Sequence, residues 1–347
     1  MRAFACPACG RLAPFESQSC PSCSTLLGLH LPSRTLVAIP DDEVVVDGVR
    51  WHRCVNWSWQ CNWLVAEDSG SGQCAAGRLI RRRPESDDTI ALEKLADASA
   101  SLRQLLFQLL DLGLPVDSYR QRDGGLAFDL LSSRTSGQQV TIGHANGVIT
   151  IDLAESLDAH REALRVRLRE PYRTMLGHLR HEVGHYYENI LVENGPLIDD
   201  CRVLFGDERA SYSDAIARHY KFGAPEDWQQ SFISEYATMH PWEDFAECFA
   251  HYLHITDTLA TAAESGVMVR ADLAAWAMRD DVAPRTSYHD ADLDDILEDW
   301  QILSGVFNRV NRSMGKGDLY PFTIPQPVHE KLRFVHRVVT TAARTDG

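Results

Sequence analysis

The stretch Met175–Ile190, MLGHLRHEVGHYYENI, sets His181 and His185 four residues apart. On a helix that spacing sends both imidazoles off one face, where they can reach a single cation. Glu182, beside the first histidine, then leans over the ion's open side, and a carboxylate there can take a proton from activated water. This pattern constrains the fold twice. The segment has to be helical, and a zinc site of this kind needs a third protein ligand from elsewhere in the chain. Met175, Leu179, Val183, Tyr186 and Ile190 recur at helical spacing and give the segment an apolar stripe. Pro171 suits its first turn, and Glu193-Asn194-Gly195-Pro196 marks its end.

In the extended form of the motif the third ligand stands six positions after the second histidine, but here that position is Leu191. The remaining source is a carboxylate on a second helix. The segment EYATMHPWEDFAECFAHYLH (residues 235–254) offers one. Pro241 can open a helix, Glu243 and Asp244 suit its first turn, and Trp242, Phe245, Phe249 and Leu253 supply apolar anchors. Glu243 and Glu247 share one face, so either can be the ligand and the other its support. His240, His251 and His254 are further candidate ligands, or else histidines of the helix surface or of substrate contacts.

Near the N-terminus, CPACGRLAPFESQSCPSC spaces four thiols as Cys6-x2-Cys9-x10-Cys20-x2-Cys23. Each Cys-x-x-Cys wraps one edge of a metal, and two of them complete a tetrahedral thiolate site. Such a site predicts a structural zinc that holds a segment too small to bury its own core. Cys54, Cys61 and Cys74 form a looser group with His52 as a candidate fourth ligand, or else are buried reduced thiols. The second half of a further Cys-x-x-Cys is missing there, because Gly77 stands where the thiol would be.

Charge and hydropathy narrow the partners. Residues 1–83 carry nine Lys+Arg against seven Asp+Glu, leaving 25 against 42 for the remainder. So acidic a body repels a phosphate backbone and disfavours nucleic acid as a partner. The basic run Arg78–Pro84 reads as a solvated linker. No stretch has the apolar length of a membrane-spanning helix, and MRAFACPACG lacks a secretory apolar region. The expectation is a cytoplasmic protein that does not enter a membrane, its cysteines serving as metal ligands or reduced thiols.

The pattern predicts an α+β chain. Residues 1–30 read as a zinc ribbon, residues 31–85 as a small β region, and residues 86–347 as a mainly helical domain that carries the chemistry. Short strands are expected between Val44 and Val65 and a turn over Glu67–Gln73. A helix follows, stopping at Gly113 and Pro115. A strand pair comes next, GLAFDLL with QVTIGHANGVITIDL, the latter turning at Asn146-Gly147.

His-Glu-Val-Gly-His followed by EDFAECF resembles the gluzincin arrangement and is particularly similar to the lethal-factor-type zinc metalloproteases. That likeness implies Glu243 as the third zinc ligand, Glu247 orienting a ligand histidine, and Tyr236, seven residues earlier, donating to the oxyanion. A closer resemblance spans nearly the whole chain. CPACG, CNWLV, HEVGHYYE, LFGDERASY, HPWEDFAECFAHYLHITDTL, NRSMGKGDLYPF and EKLRFVH match the zinc-binding metallopeptidases that begin with a zinc ribbon. It implies a zincin-like catalytic domain with one catalytic zinc on His181, His185 and Glu243, and Glu182 as general base. Members of that group commonly carry a cysteine at the position of Gly77. Three readings are open: a peptidase acting on a peptide or protein, an adaptor whose ribbon binds a protein partner and whose hydrolase site is vestigial, or an amidohydrolase acting on a non-peptide amide.

Overall fold

A computed structural model describes residues 2–133, 140, 142–153 and 174–345. By packing they divide into two units: Met1–Phe107 with Val116–Ala154, and Gln108–Pro115 with Glu155–Gly347. Together they give a mixed α+β chain, strands dominating the N-terminal part and helices the rest.

In the first unit β1 (Phe4–Ala5) pairs antiparallel with β2 (Leu12–Ala13), and β3 (Leu27–His30) with β4 (Thr35–Ala38). Strands β5 (Glu43–Val46), β6 (Val49–Arg53) and β7 (Leu64–Ala66) make a three-stranded antiparallel sheet. A short helix α1 (Ala75–Leu79) leads into β8 (Ile80–Arg82). The basic run expected as a solvated linker is therefore partly a strand. Its backbone pairs with β9 (Ala127–Leu131), and Arg81 Nε and Nη2 donate to the buried Asp129 Oδ1 and Oδ2 of that strand at 2.9 and 2.6 Å.

Helix α2 (Thr89–Asp111) buries Leu95, Ala98, Leu102 and Leu105, one stripe at helical spacing. The chain leaves it through Gly113 at φ +68°, as the stop signal predicts. Strands β9 (Ala127–Leu131), β10 (Gly143–Ala145) and β11 (Val148–Asp152) join β8 in the order β10-β11-β9-β8. The Asn146-Gly147 turn is as expected, both residues adopting positive φ between β10 and β11. The expected pair β9 and β11 is parallel, as is β8 with β9.

The second unit is built around α3 (Met175–Glu188), which continues through a π-helical turn at Asn189–Glu193. It also holds α4 (Ile198–Phe205), α5 (Tyr212–Phe222), α6 (Pro241–Glu264), α7 (Leu293–Ser313) and α8 (Gln326–Thr345). Thr174 caps α3, its hydroxyl accepting from Gly177 N at 3.0 Å; the expected first-turn residue Pro171 lies outside the described residues. Of the expected stripe, Leu179, Val183 and Tyr186 are fully buried, while Met175 and Ile190 are half-buried.

Helix α6 is the centre of this unit, burying Phe245, Ala246, Cys248, Phe249, Leu253 and Ile255. Tyr187 of α3 stacks on Phe249 at 5.4 Å. Arg180 of α3 donates to Asp257 Oδ2 at 2.7 Å and to Gln108 Oε1 at 3.1 Å, and Gln108 in turn donates to Leu253 O at 2.6 Å. This buried network fixes the angle between α3 and α6.

Asp244, expected as a first-turn charge, is buried beneath α8. Lys331 Nζ donates to its Oδ2 at 2.5 Å and to Ser231 O at 2.8 Å, and lies 4.2 Å from the Phe232 ring centre. Burial pushes the Asp244 carboxyl up to about 7 against the pull of Lys331. Lys331→Met strips the pair of its cation inside an apolar setting, and is expected to cost about 3–5 kcal/mol. Urea unfolding reads that cost, and an unchanged midpoint would mean the pair is neutral to stability.

Candidate active site

Three atoms converge where α3 crosses α6. His181 Nε2 lies 3.0 Å from Glu243 Oε2, His185 Nε2 lies 3.4 Å from the same oxygen, and the two Nε2 atoms are 3.2 Å apart. A tetrahedral zinc with ligand distances of about 2.05 Å sets its ligand atoms about 3.3 Å apart. Two imidazoles and a carboxylate at that spacing fit one zinc ion and leave its fourth position free for a reactant.

The electrostatics agree. Burial opposes charge on His181, yet Glu243 and Glu247 on its two sides outweigh it and hold the imidazole well above its usual range. Glu243 is held well below the carboxylate range: burial opposes this, but hydrogen bonds from His181 and His185 prevail. The pocket calls for positive charge at this point.

The surrounding groups orient the three. Glu247 Oε1 accepts from His181 Nδ1 at 2.6 Å, which turns Nε2 toward the convergence. Ser234 Oγ donates to Glu247 Oε2 at 2.6 Å and accepts from Ala237 N at 3.1 Å. Tyr212 OH donates to Glu243 Oε1 at 2.7 Å, leaving Oε2 for the metal. Glu182 is buried, with Oε1 3.2 Å from His178 Nε2 and Oε2 lacking any hydrogen-bond partner among the described residues. Burial raises its pKa, but the His178 hydrogen bond and the charges of His178, His181 and His185 bring it below the usual value. Tyr236 packs its ring 5.7 Å from that of His181, and burial with Glu243 and Tyr212 nearby keeps its hydroxyl protonated far above the usual range.

The thiols form two groups in the first unit. Cys6, Cys9, Cys20 and Cys23 gather with Sγ–Sγ distances of 3.7 Å for Cys6–Cys23 and Cys9–Cys20. A tetrahedral zinc with Zn–S bonds of about 2.3 Å sets its sulfurs about 3.8 Å apart, so these four fit a structural zinc. The knuckles repeat each other. Gly10 N donates to Cys6 O and Ser24 N to Cys20 O, each from a residue at positive φ. Cys54, Cys61 and Cys74 make the second group; His52, the candidate fourth ligand, is not in it.

Residues 91–338 match the family described as "Putative zinc-binding metallo-peptidase", and residues 3–88 match a zinc-ribbon domain. The chain belongs to this metallo-peptidase family. Uncharacterized proteins of Mycobacterium bovis and of Mycobacterium tuberculosis are each 46% identical to it over 345 residues, covering 99% of this chain and 96% of theirs. No solved structure matches.

Within this family member the competing histidines stand apart from the triangle. His240 caps α6, accepting from Trp242 N at 3.2 Å and donating to Ala210 O at 3.1 Å. His251 lies 2.8 Å from Tyr320 OH, and His254 stacks on the Tyr320 ring; burial lowers the pKa of both. His240 and His251 are buried and His254 is half-buried, and none of the three belongs to the convergence.

Sequence reasoning missed Tyr212 and Ser234. Nothing local in the segment LFGDERASY assigns a role to its tyrosine. Arg202 Nε and Nη2 donate to Glu208 Oε2 and Oε1 at 3.0 and 2.6 Å, pinning the loop that presents Tyr212. The Tyr212 ring sits 5.2 Å from that of His240 and 5.8 Å from Trp242. Tyr212→Phe removes only the hydroxyl and is expected to weaken zinc binding about 10–100-fold. Chelator competition measures this, and wild-type affinity would reduce Tyr212 to a packing residue.

Proposed function

We propose that this chain is a zinc-dependent peptidase that hydrolyses peptide bonds through Glu182. The observation that carries this reading is the convergence of His181 Nε2, His185 Nε2 and Glu243 Oε2 within 3.4 Å, beside a buried carboxylate oxygen of Glu182 with no hydrogen-bond partner among the described residues. Zinc held by that triad supplies Lewis acidity toward water and the scissile carbonyl. Glu182 takes the proton of the attacking water and returns it to the leaving amine. Tyr236 donates a hydrogen bond to the oxygen on which negative charge develops. Glu247, Ser234 and Tyr212 keep His181 and Glu243 in line, so that little reorganisation is needed as charge builds.

Digestion of a mixed peptide library by zinc-loaded protein, with Glu182→Gln in parallel, tests the proposal. Cleavage by wild type alone supports it. If neither protein cleaves any peptide while both hold zinc, the peptide-bond assignment fails.

A further inference from the structure

We infer that His178 is the positioning residue of the base: it holds Glu182 Oε1, so that Oε2 is the oxygen offered to the attacking water. This rests on the peptidase reading and adds to it the residue that sets the direction of Glu182.

The two side chains stand one turn apart on α3, with His178 Nε2 3.2 Å from Glu182 Oε1. A carboxylate can only accept, so the imidazole carries a proton on Nε2 and donates it there. Among the described residues this is the one hydrogen bond to the Glu182 carboxylate, since Oε2 has no partner. His181 and Glu243 are turned by groups from other elements or another helix, Glu247 and Tyr212. Glu182 is turned from its own helix. A glutamate has several rotatable bonds to order, and a buried one anchored through a single oxygen takes its direction from that anchor.

His178 is a fixed point for this purpose. Its backbone N donates to Thr174 O at 3.0 Å, inside the turn that the Thr174 hydroxyl caps. Its side chain is 38% exposed against 7% for Glu182, so the imidazole forms the solvent edge of the base and can be replaced without opening the core.

Helix stability does not account for the pair. A basic residue four positions before an acidic one is the poorer order on a helix, and positive charge is disfavoured near a helix N-terminus, where His178 stands. The pairing serves Glu182 rather than α3.

Steady-state kinetics and a ring signal test this on the full-length, zinc-loaded chain. With a peptide that wild type cleaves, His178→Ala is expected to keep full zinc, hold KM within about twofold and lower kcat about 10–100-fold, because a misdirected base weakens only the chemical step. His178→Gln, whose amide N–H reaches about as far as Nε2, is expected to recover most of that rate. In protein labelled with ¹⁵N-histidine, the ring signal that disappears in His178→Gln belongs to His178, and Glu182→Ala is expected to move it. A His178→Ala kcat within about twofold of wild type, a Gln variant no faster than the Ala variant, or a ring signal indifferent to Glu182→Ala would overturn the inference and leave the peptidase reading standing. A wild type that cleaves no peptide would instead end that reading, and the ring signal alone would then decide whether His178 holds Glu182.

Discussion

Glu182→Gln is expected to retain zinc on His181, His185 and Glu243 and to lose about 10²–10⁴-fold in peptide hydrolysis. The substitution is nearly isosteric. The amide oxygen can keep the contact that Glu182 Oε1 makes with His178, and no zinc ligand is altered. What disappears is the basic oxygen at Oε2, buried and without a hydrogen-bond partner among the described residues, which cannot receive a proton once it is an amide nitrogen. The readout is paired, metal content and initial rate on one preparation. Full zinc with wild-type rate would remove Glu182 from the mechanism, whereas loss of zinc would make it a structural element of the metal site.

Gly184→Ala is the second large effect. A methyl at Gly184 would stand 2.8 Å from Ala246 Cα, 3.1 Å from its carbonyl oxygen and 3.2 Å from its Cβ. Backbone cannot swing aside as the end of a long side chain can, so α3 and α6 have to part. The crossing point lies between the ligands: His181 and His185 flank Gly184 on one helix, Glu243 and Glu247 flank Ala246 on the other. Overpacking of this kind costs about 1–3 kcal/mol of stability. The effect on the site is larger, since a displacement of about 1 Å in a reacting group can cost about 10²-fold in rate. Zinc affinity and hydrolysis are expected to fall together while circular dichroism still reports a folded chain. Unchanged zinc affinity would show that the helices can separate without disturbing the triad.

The glycine and alanine at this crossing show how the sequence can be read in part. His181, His185 and Glu243 were legible because local helix geometry fixes the first two and a short acidic-apolar helix supplies the third. Neither motif alone says that the helices touch at Gly184 and Ala246, since that contact joins segments about sixty positions apart. The four-cysteine group and the Asn146-Gly147 turn were legible for the same local reason. Tyr212 and Ser234 were not, because neither stands in a motif with the residue it supports: Tyr212 opens α5 and reaches Glu243 31 positions on, and Ser234 reaches Glu247 from a loop held in part by Lys331 on Ser231 O. The parallel pairing of β8, β9 and β11 also joins strands far apart in the chain, and alternation of residue types carries no information about strand direction. The basic run at Arg78–Pro84 misled for a related reason: its pairing with β9, and the Asp129 carboxylate that meets Arg81 there, lie far along the chain.

Crystals of zinc-loaded protein, measured on either side of the zinc absorption edge, test the central claim most directly. The account predicts an anomalous peak within bonding distance of His181 Nε2, His185 Nε2 and Glu243 Oε2, with Glu247 still on His181 Nδ1. Absence of a peak there at full zinc loading, or a peak held instead by His240, His251 or His254, would contradict it.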